Sequence, residues 1–196
     1  MQRLPPVERE AIRAVSAVQP FRVNEYVIRE LIDWSAVPDD PIYNLVFPRP
    51  GMLRPGHFSR MMSLVSGGAS EEELQEAARE IQLTLNVHPA GQKELNVPWM
   101  DGRPLEGIQH KYRETVLFFP AAGQNCHSYC TYCFRWAQFS RPDRFRFEAH
   151  QTDSLVRYLR SHPEVSSLLI TGGDPLVMST EALRRYVEPL LDPSLD

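Results

Sequence analysis

The chain has 196 residues, of which 42% are hydrophobic and 23% charged, and a formal net charge of −4. This composition is typical of a globular protein with one or two hydrophobic cores. The charge argues against nucleic-acid binding, and no apolar stretch is long enough to indicate a membrane span or a secretory signal. We expect a cytoplasmic protein, because three clustered cysteines do not suggest a secreted disulfide framework.

Residues 1–110 form a first region, which the pattern predicts to be helices joined by proline-rich connectors. Apolar residues recur there at helical spacing in four places. The first predicted helix begins at Pro6, and the second follows a cap at Asn24 and has Val27, Ile28, Leu31 and Ile32 inward. The third begins near His57, and the fourth follows the capping box Ser70–Glu73. Five prolines from Pro38 to Pro55 predict irregular chain. Residues 90–110 show little periodicity, which predicts a linker.

Residues 111–196 form a second region, in which strands and helices alternate. Short apolar runs predict strands, and helical periodicity predicts the segments between and after them. The predicted elements are a strand at Thr115–Phe119, a helix near Tyr132–Phe139, a helix from Thr152, a strand at Ser167–Thr171 and a helix capped by Thr180. This order is typical of a parallel sheet, so we predict the α/β class.

Two unusual loops follow the two predicted strands. A cysteine-rich loop comes after the first strand, and Gly172-Gly173-Asp174 comes directly after the second. Ligands of parallel sheets bind beyond the carboxyl ends of the strands. We therefore expect the two loops to face one pocket.

The cysteine loop is the strongest functional signal in the chain. Cys126, Cys130 and Cys133 lie within eight residues, and no other cysteine is present. Three thiolates on one short loop can hold three irons of a four-iron cluster and leave the fourth open to a ligand. Three alternatives remain: a zinc site that includes His127, a Cys130–Cys133 redox pair, or three inert thiols.

The spacing C-x3-C-x2-C, with an aromatic residue before the last cysteine, resembles the motif of the radical S-adenosylmethionine superfamily. Two further segments, Glu106–Arg113 and Gly172–Leu176, resemble the lysine 2,3-aminomutase family within it. The resemblance begins near Asp40-Pro41 and so covers most of the chain, although the early helices match more loosely. It implies an N-terminal helical region followed by the first β/α units of a partial TIM-like barrel.

The resemblance also implies roles for individual residues. Cys126, Cys130 and Cys133 would ligate a [4Fe-4S] cluster, whose open iron takes the amino and carboxylate groups of S-adenosylmethionine. Tyr132 would pack near the adenine, and Arg135 would lie near the cofactor. Gly172 and Gly173 would let the backbone approach the methionine moiety, and Asp174 would lie near the ammonium of that moiety. Taken alone, Gly172-Gly173-Asp174 would indicate only a turn after a strand.

The family's chemistry implies an isomerase. In the aminomutases, a 5′-deoxyadenosyl radical takes hydrogen from an amino acid held on pyridoxal 5′-phosphate, and the amino group moves to the adjacent carbon. Lys111 and Tyr112 match positions near the pyridoxal phosphate, but Thr115 replaces a second basic residue, so one phosphate contact is expected to be lost. The resemblance implies an amino acid substrate and an electron donor such as flavodoxin or ferredoxin. It assigns no catalytic residue here and leaves open whether the protein is a homo-oligomer.

The number of β/α units suggests an incomplete barrel. Two units follow Thr115, whereas a barrel of this superfamily usually needs about six. We therefore expect an N-terminal fragment or one part of a split protein, and a poor catalyst on its own. Two alternative functions stay open: a radical S-adenosylmethionine enzyme without pyridoxal phosphate, and a non-catalytic zinc-binding module.

Overall fold

The computed structural model describes residues 4–85, 91, 93–139 and 146–195. The chain divides into two compact units, one of Met1–Val87 with His127–Trp136 and one of His88–Cys126 with Ala137–Asp196. The first unit is helical and the second contains all the described strands, which confirms the mixed α/β class. Within the described ranges, no helix has the length and apolar character needed to cross a membrane.

The first unit is built from four α-helices that enclose two groups of buried apolar side chains. Its helices are α1 (Pro6–Val18), α2 (Pro41–Val46), α3 (Pro55–Ser66) and α4 (Glu71–Thr84). The helices α1, α3 and α4 share one buried cluster, and α2 contributes to the other. The predicted capping box is confirmed, because Glu73 N–H donates to Ser70 Oγ at 3.2 Å and Ser70 N–H donates to Glu73 Oε2 at 2.8 Å.

The proline-rich segment contains helix α2, so the prediction of largely irregular chain from Pro38 to Pro55 was wrong there. Asp40 caps α2 by accepting the Tyr43 N–H at 2.6 Å, and Pro41 occupies the first turn, where its missing N–H costs nothing. A 3-10 turn, Pro50–Met52, follows. The cap and the helix-starting proline were both readable in the sequence, but the density of prolines obscured them.

The cap predicted at Asn24 is confirmed, but the helix after it differs from the expectation. Asn24 Oδ1 accepts the Val27 N–H at 2.8 Å, and the turn that follows, Val27–Leu31, is a π-helix. Its side chains are not buried, whereas the next residue, Ile32, is. Leu31 is 43% exposed, so its predicted inward position was wrong. The wider π turn changes which side chains face inward.

The second unit contains two sheets and two α-helices. Its elements are β1 (Trp99–Met100), β2 (Arg103–Pro104), β3 (Ile108–Tyr112), β4 (Thr115–Phe118), α5 (Asp153–Arg160), β5 (Ser167–Ile170) and α6 (Thr180–Val187). The larger sheet has the order β3-β4-β5. Strands β4 and β5 are parallel, with Val116 opposite Leu168 and Phe118 opposite Ile170. The predicted pair of parallel strands joined through a helix is therefore confirmed.

The centre of the second unit lies on strand β4. Val116 and Phe118 are fully buried and pack with Leu155 of α5 and Tyr186 of α6. The ring centroids of Phe118 and Tyr186 are 5.8 Å apart in an edge-on arrangement. The apolar run that predicted a buried strand thus supplies the core of the unit, and both loops of interest follow strands attached to that core.

Residues 90–110 are not a plain linker, so that prediction was wrong. Strands β1 and β2 form a hairpin whose turn is Asp101-Gly102, and both turn residues have positive φ, 51° and 73°. An Asp-Gly pair is a strong hairpin signal, which was present in the sequence. Strand β3 then pairs antiparallel with β4 through a two-residue turn. That turn contains no glycine, so the sequence gives no comparable hairpin signal there.

The cap of α6 is Ser179 and not Thr180, because Ser179 Oγ accepts the Ala182 N–H.

Candidate metal and cofactor site

The glycine-rich loop after β5 lies against the two residues that precede the first cysteine. Asp174 N–H donates to the carbonyl of Asn125 at 2.6 Å. Gln124 Nε2 donates to the carbonyl of Pro120 at 2.9 Å and lies 3.4 Å from that of Thr171. All of these residues belong to the second unit. The ends of the two parallel strands therefore bring Gln124–Asn125 and Gly172–Asp174 together, as the strand order predicted.

Both glycines of this loop are required, Gly172 by its backbone conformation and Gly173 by close approach to backbone. Gly172 has φ of +128°, and a Cβ there would lie 2.6 Å from Gln124 Cδ. A Cβ on Gly173 would clash with the Asn125 carbonyl oxygen and would lie 2.6 Å from Asn125 C and N. Real Cβ atoms are not found at such distances from backbone, so a side chain at Gly173 must displace one loop. The glycines thus position the segment that leads into Cys126.

Asp174 has a structural role in the same loop. Its Oδ1 accepts the Leu176 N–H at 2.9 Å and caps the 3-10 turn Pro175–Val177. The side chain is half-buried and not enclosed. Its carboxylate is therefore held in one orientation while it stays within reach of a ligand.

The cysteine motif is divided between the two units. Cys126 ends a segment of the second unit, whereas Cys130 and Cys133 belong to the first. Cys126 N–H donates to Asn125 Oδ1 at 3.0 Å, and Cys133 N–H donates to the Cys130 carbonyl at 3.1 Å. All three cysteines are of intermediate exposure, and none of them forms a disulfide. The last two cysteines therefore share one tight turn, and their spacing is set by a local backbone hydrogen bond.

The Cys133 thiol is protonated more readily than an ordinary thiol. Burial raises the pKa of Cys133, while the Arg135 backbone and guanidinium act in the opposite direction. Burial also lowers the pKa of Arg135, and the negative charge of a Cys133 thiolate raises it. The two groups therefore stabilise each other when both are charged. Arg135 is therefore a basic side chain that interacts electrostatically with a candidate ligand.

The residues between Cys126 and Cys133 are held by the first unit through hydrogen bonds. Each bond uses a group of the loop and a group of the helical region, and all lie within that unit. The bonds are Tyr129 N–H to the Arg22 carbonyl at 2.8 Å, Thr131 N–H to the Leu45 carbonyl at 2.8 Å, Thr131 Oγ1 to the Asn44 carbonyl at 3.0 Å, and Asn24 N–H to Ser128 Oγ at 3.1 Å. None of these long-range pairs could be read from the motif.

The helix predicted near Tyr132–Phe139 does not form as an α-helix. The chain makes turns in which Cys133 N–H donates to the Cys130 carbonyl and Trp136 N–H to the Cys133 carbonyl, and a 3-10 helix follows at Trp136–Phe139. These bonds span three residues, so the backbone is wound more tightly than an α-helix. Tyr132 lies on the outer side of the first turn and is 75% exposed.

The candidate phosphate residues lie on strand β3. Lys111 and Tyr112 are both exposed, and Lys111 Nζ lies 5.5 Å from the centre of the Tyr112 ring. Both ring nitrogens of the neighbouring His110 are hydrogen-bonded. Its Nδ1 lies 2.6 Å from Tyr158 Oη, and its Nε2 lies 3.1 Å from the Arg113 carbonyl. His110 fixes the hairpin that carries Lys111 and Tyr112, a role that the sequence did not indicate.

The chemistry of the donor set fits an iron–sulfur cluster. Three thiols that are neither bridged nor fully buried are available, and sulfur is the ligand that cluster iron prefers. Across the described ranges, no group of three or more His, Cys, Asp or Glu side chains is already gathered as a metal site. The residues thus fit such a group by type and accessibility.

Comparison with known proteins gives a consistent set of relatives. No protein-family model matches the chain. A protein of Aquifex aeolicus (strain VF5), provisionally named L-lysine 2,3-aminomutase, is 27% identical over 98% of this chain and 40% of its own length. The L-lysine 2,3-aminomutase of Acetoanaerobium sticklandii is 29% identical over 56% of this chain and 26% of its own length. That of Bacillus subtilis (strain 168) is 33% identical over 44% of this chain and 18% of its own length.

These comparisons confirm the resemblance to the lysine 2,3-aminomutase family that the motifs indicated. The match extends over nearly the whole chain in the Aquifex protein and is not confined to the cysteine loop. The chain spans about two fifths of the length of the first curated relatives it matches, at 40% for each of the two Aquifex proteins.

Proposed function

We propose that this chain holds the iron–sulfur cluster and part of the S-adenosylmethionine site of a radical enzyme of the lysine 2,3-aminomutase type. One observation carries the proposal: a C-x3-C-x2-C motif without disulfides lies in a chain of which 98% aligns, at 27% identity, with a protein provisionally named L-lysine 2,3-aminomutase. Neither part is sufficient alone, because three thiols can also bind zinc and 27% identity leaves the chemistry open.

In this proposal, Cys126, Cys130 and Cys133 hold three irons of a [4Fe-4S] cluster. When bound, the cluster and S-adenosylmethionine supply a carbon radical that takes hydrogen from an unactivated carbon. The protein's task is to fix the positions of the groups and to restrict access of water. The turn from Cys130 to Cys133 and the packing of Asn125 on Gly173 support this task, since they constrain the chain on both sides of Cys126.

The remaining contacts to S-adenosylmethionine come from both sides of the cysteine motif. The Asp174 carboxylate, oriented by its bond to the Leu176 N–H, is suited to accept from the ammonium of the methionine moiety. The exposed ring of Tyr132 is available to pack on adenine. Arg135 interacts electrostatically with Cys133 and would compensate part of the negative charge of thiolate ligands.

Pyridoxal 5′-phosphate is the second cofactor in the proposal. Lys111 would meet the phosphate as a point charge, with Tyr112 beside it, and both are exposed on β3. Thr115, directly opposite Tyr112 in the sheet, carries no charge, so fewer phosphate contacts are available here than in the aminomutases. This substitution favours a second candidate, a radical enzyme of the same type that does not use pyridoxal phosphate.

We further propose that the sheet is the start of a partial barrel in a cytoplasmic enzyme. The order β4, α5, β5, α6 is the repeating unit of such a barrel. Leu169 on β5 is half exposed, although parallel strands are normally covered on both faces. This supports a further element packed on that face. An amino acid substrate and a one-electron donor such as flavodoxin or ferredoxin belong to the same proposal.

Metal analysis tests the proposal directly. The protein is purified without oxygen, reconstituted with iron and sulfide, and analysed for iron, acid-labile sulfide and zinc. We expect about four iron and four sulfide ions per chain, and a loss of most of both in Cys126→Ser, Cys130→Ser and Cys133→Ser. One equivalent of zinc without iron or sulfide would overturn the proposal and favour a zinc-binding module.

A further inference from the structure

We infer that the helical unit is a clamp for the cysteine loop, and that Ser128 and Thr131 are positioning residues for Cys130. The inference rests on the proposed function, because it assigns these residues to the placement of a cluster ligand. It goes beyond the ligands themselves, since neither Ser128 nor Thr131 is a candidate to touch the cluster. It also gives residues 20–46, which carry no chemical motif, a role at the site.

Backbone hydrogen bonds hold the chain on both sides of Cys130. On one side, Tyr129 N–H donates to the Arg22 carbonyl at 2.8 Å. On the other, Thr131 N–H donates to the Leu45 carbonyl at 2.8 Å. Cys130 lies between these two bonds, which together restrict the position of its Cα. A ligand between two such bonds is positioned before metal arrives.

The carbonyls that accept the bonds from Thr131 lie at the end of helix α2. Helix α2 ends at Val46, and the last four carbonyls of an α-helix have no acceptor role within the helix. Thr131 supplies donors to two of the residues in that last turn, with its N–H to Leu45 and its Oγ1 to Asn44 at 3.0 Å. Thr131 therefore caps the carboxyl end of α2. The hydrogen-bond donors of the loop are thus paired with carbonyl acceptors that the helix does not use itself.

The residues that form the clamp are themselves held by packing and hydrogen bonds. Tyr43, on α2, is fully buried, stacks on Phe47 with ring centroids 4.5 Å apart, and donates from its hydroxyl to Glu8 Oε1 at 2.7 Å. The side chain of Asn24 caps the π-helical turn Val27–Leu31. The backbone N–H of Asn24 donates to Ser128 Oγ at 3.1 Å. The groups that hold the loop are thus fixed by contacts other than the loop.

A side-chain hydroxyl is the part of the clamp that mutation can remove without altering the backbone. Thr131→Val keeps the shape and deletes the bond to the Asn44 carbonyl, whereas Thr131→Ser keeps the hydroxyl. Thr84→Val is a matched control, because Thr84 Oγ1 donates to the Ile81 carbonyl at 2.7 Å at the end of α4, in the same unit. It removes a bond of the same kind that does not involve the loop.

The test measures the loop before and after metal is added. In the metal-free protein, alkylation of each cysteine is followed by mass spectrometry, with Cys126 as an internal reference. We expect Thr131→Val and Ser128→Ala to accelerate alkylation of Cys130 relative to Cys126 by about fivefold, which corresponds to the loss of one hydrogen bond. Thr131→Ser and Thr84→Val should react like the wild type. After reconstitution, Thr131→Val should bind less iron than Thr131→Ser.

The outcomes separate this inference from the proposed function. If the wild type binds iron and sulfide, and Thr131→Val matches it in both Cys130 alkylation and iron content, the clamp is wrong and the cluster proposal stands. If Thr84→Val changes Cys130 as much as Thr131→Val does, the effect is general destabilisation and the clamp is likewise wrong. If the wild type binds no iron while Thr131→Val still exposes Cys130, the loop is clamped but the proposed function fails.

Discussion

The two flanks of the cysteine motif are held in different ways. Before Cys126, the chain is held by close contact in addition to the bond from the Asp174 N–H, since Gly173 leaves no room for a side chain against Asn125. After Cys126, the chain is fixed by hydrogen bonds from Thr131 and its neighbours to backbone carbonyls. Close contact tolerates almost no change, whereas a single hydrogen bond contributes only about 1 kcal/mol. Mutations on the first flank should therefore be much more harmful than mutations on the second.

The largest effect is expected for Gly173→Ala. The new Cβ would lie 2.6 Å from Asn125 C and N, and the clash is with backbone, which cannot rotate away. We expect a loss of about 3 kcal/mol in the free energy of unfolding, from overpacking. Urea denaturation followed by circular dichroism measures it. Gly51→Ala is the control, because a Cβ there meets no neighbouring heavy atom within 4 Å. Equal stability of the two variants would show that the first flank is not held by close contact.

An intermediate effect is expected for Tyr43→Phe, which weakens the packing of helix α2, the helix that holds the second flank. The variant loses the hydrogen bond from the Tyr43 hydroxyl to the Glu8 carboxylate, and we expect a loss of about 2 kcal/mol at neutral pH. Thr131 binds the two residues that follow Tyr43. Denaturation by urea at pH 7 measures the loss, and no change would contradict the proposed rigidity of α2.

The same residue predicts a pH dependence. Burial raises the pKa of Tyr43 well above its ordinary value, and the Glu8 carboxylate raises it further. A raised pKa means that the folded state favours the protonated phenol. Its contribution to stability is therefore complete below pH about 10 and is lost as the pH rises further. Tyr43→Phe should lose less stability between pH 9 and about pH 11 than the wild type does.

A control for this pH dependence lies in the second unit. Burial also raises the pKa of Tyr158, so Tyr158→Phe removes an alkaline transition that belongs to that unit. In the first unit, the ring centroids of Trp34 and Tyr43 are 6.1 Å apart. We expect the tryptophan fluorescence of that unit to respond to Tyr43→Phe and not to Tyr158→Phe. A response to both would argue against assigning the transition to Tyr43.

The smallest effect on stability is expected for Asp174→Asn. The amide oxygen can still accept the Leu176 N–H, so the free energy of unfolding should change by less than about 0.5 kcal/mol. Loss of the charge should nevertheless weaken binding of S-adenosylmethionine about tenfold or more. Calorimetry on reconstituted protein measures it. Asp192→Asn is the matched control, since Asp192 Oδ1 accepts the Ser194 N–H in a similar turn. Equal affinity in both variants would remove Asp174 from the site.

Local features of the fold were predictable from the sequence, and long-range ones were not. The Ser70–Glu73 capping box and the buried strand at β4 depend on neighbouring residues, and both predictions are confirmed. The Asp101-Gly102 hairpin was also readable, since positive φ at both positions is what that pair favours. By contrast, Thr131 pairs with a carbonyl 87 residues away, and no pattern within the motif indicates its acceptor.

The site shows the same limit. The cysteine spacing predicts a metal ligand set, but it does not show that Cys126 and the other two cysteines belong to different compact units. The Gly172-Gly173 pair was expected to make room for a cofactor. The structure shows that the pair also makes room for Gln124 and Asn125, a requirement that depends on which strands are neighbours. Sequence reasoning named the candidate residues, and tertiary packing explains their surroundings.

Electron paramagnetic resonance of the reduced, reconstituted protein tests the central claim most directly. The account predicts the signal of a [4Fe-4S] cluster that changes when S-adenosylmethionine is added, because three cysteines leave one iron open to that ligand. Cys130→Ser should lose the signal. A cluster signal that is indifferent to S-adenosylmethionine, or no cluster signal in protein that has taken up zinc, would contradict the account.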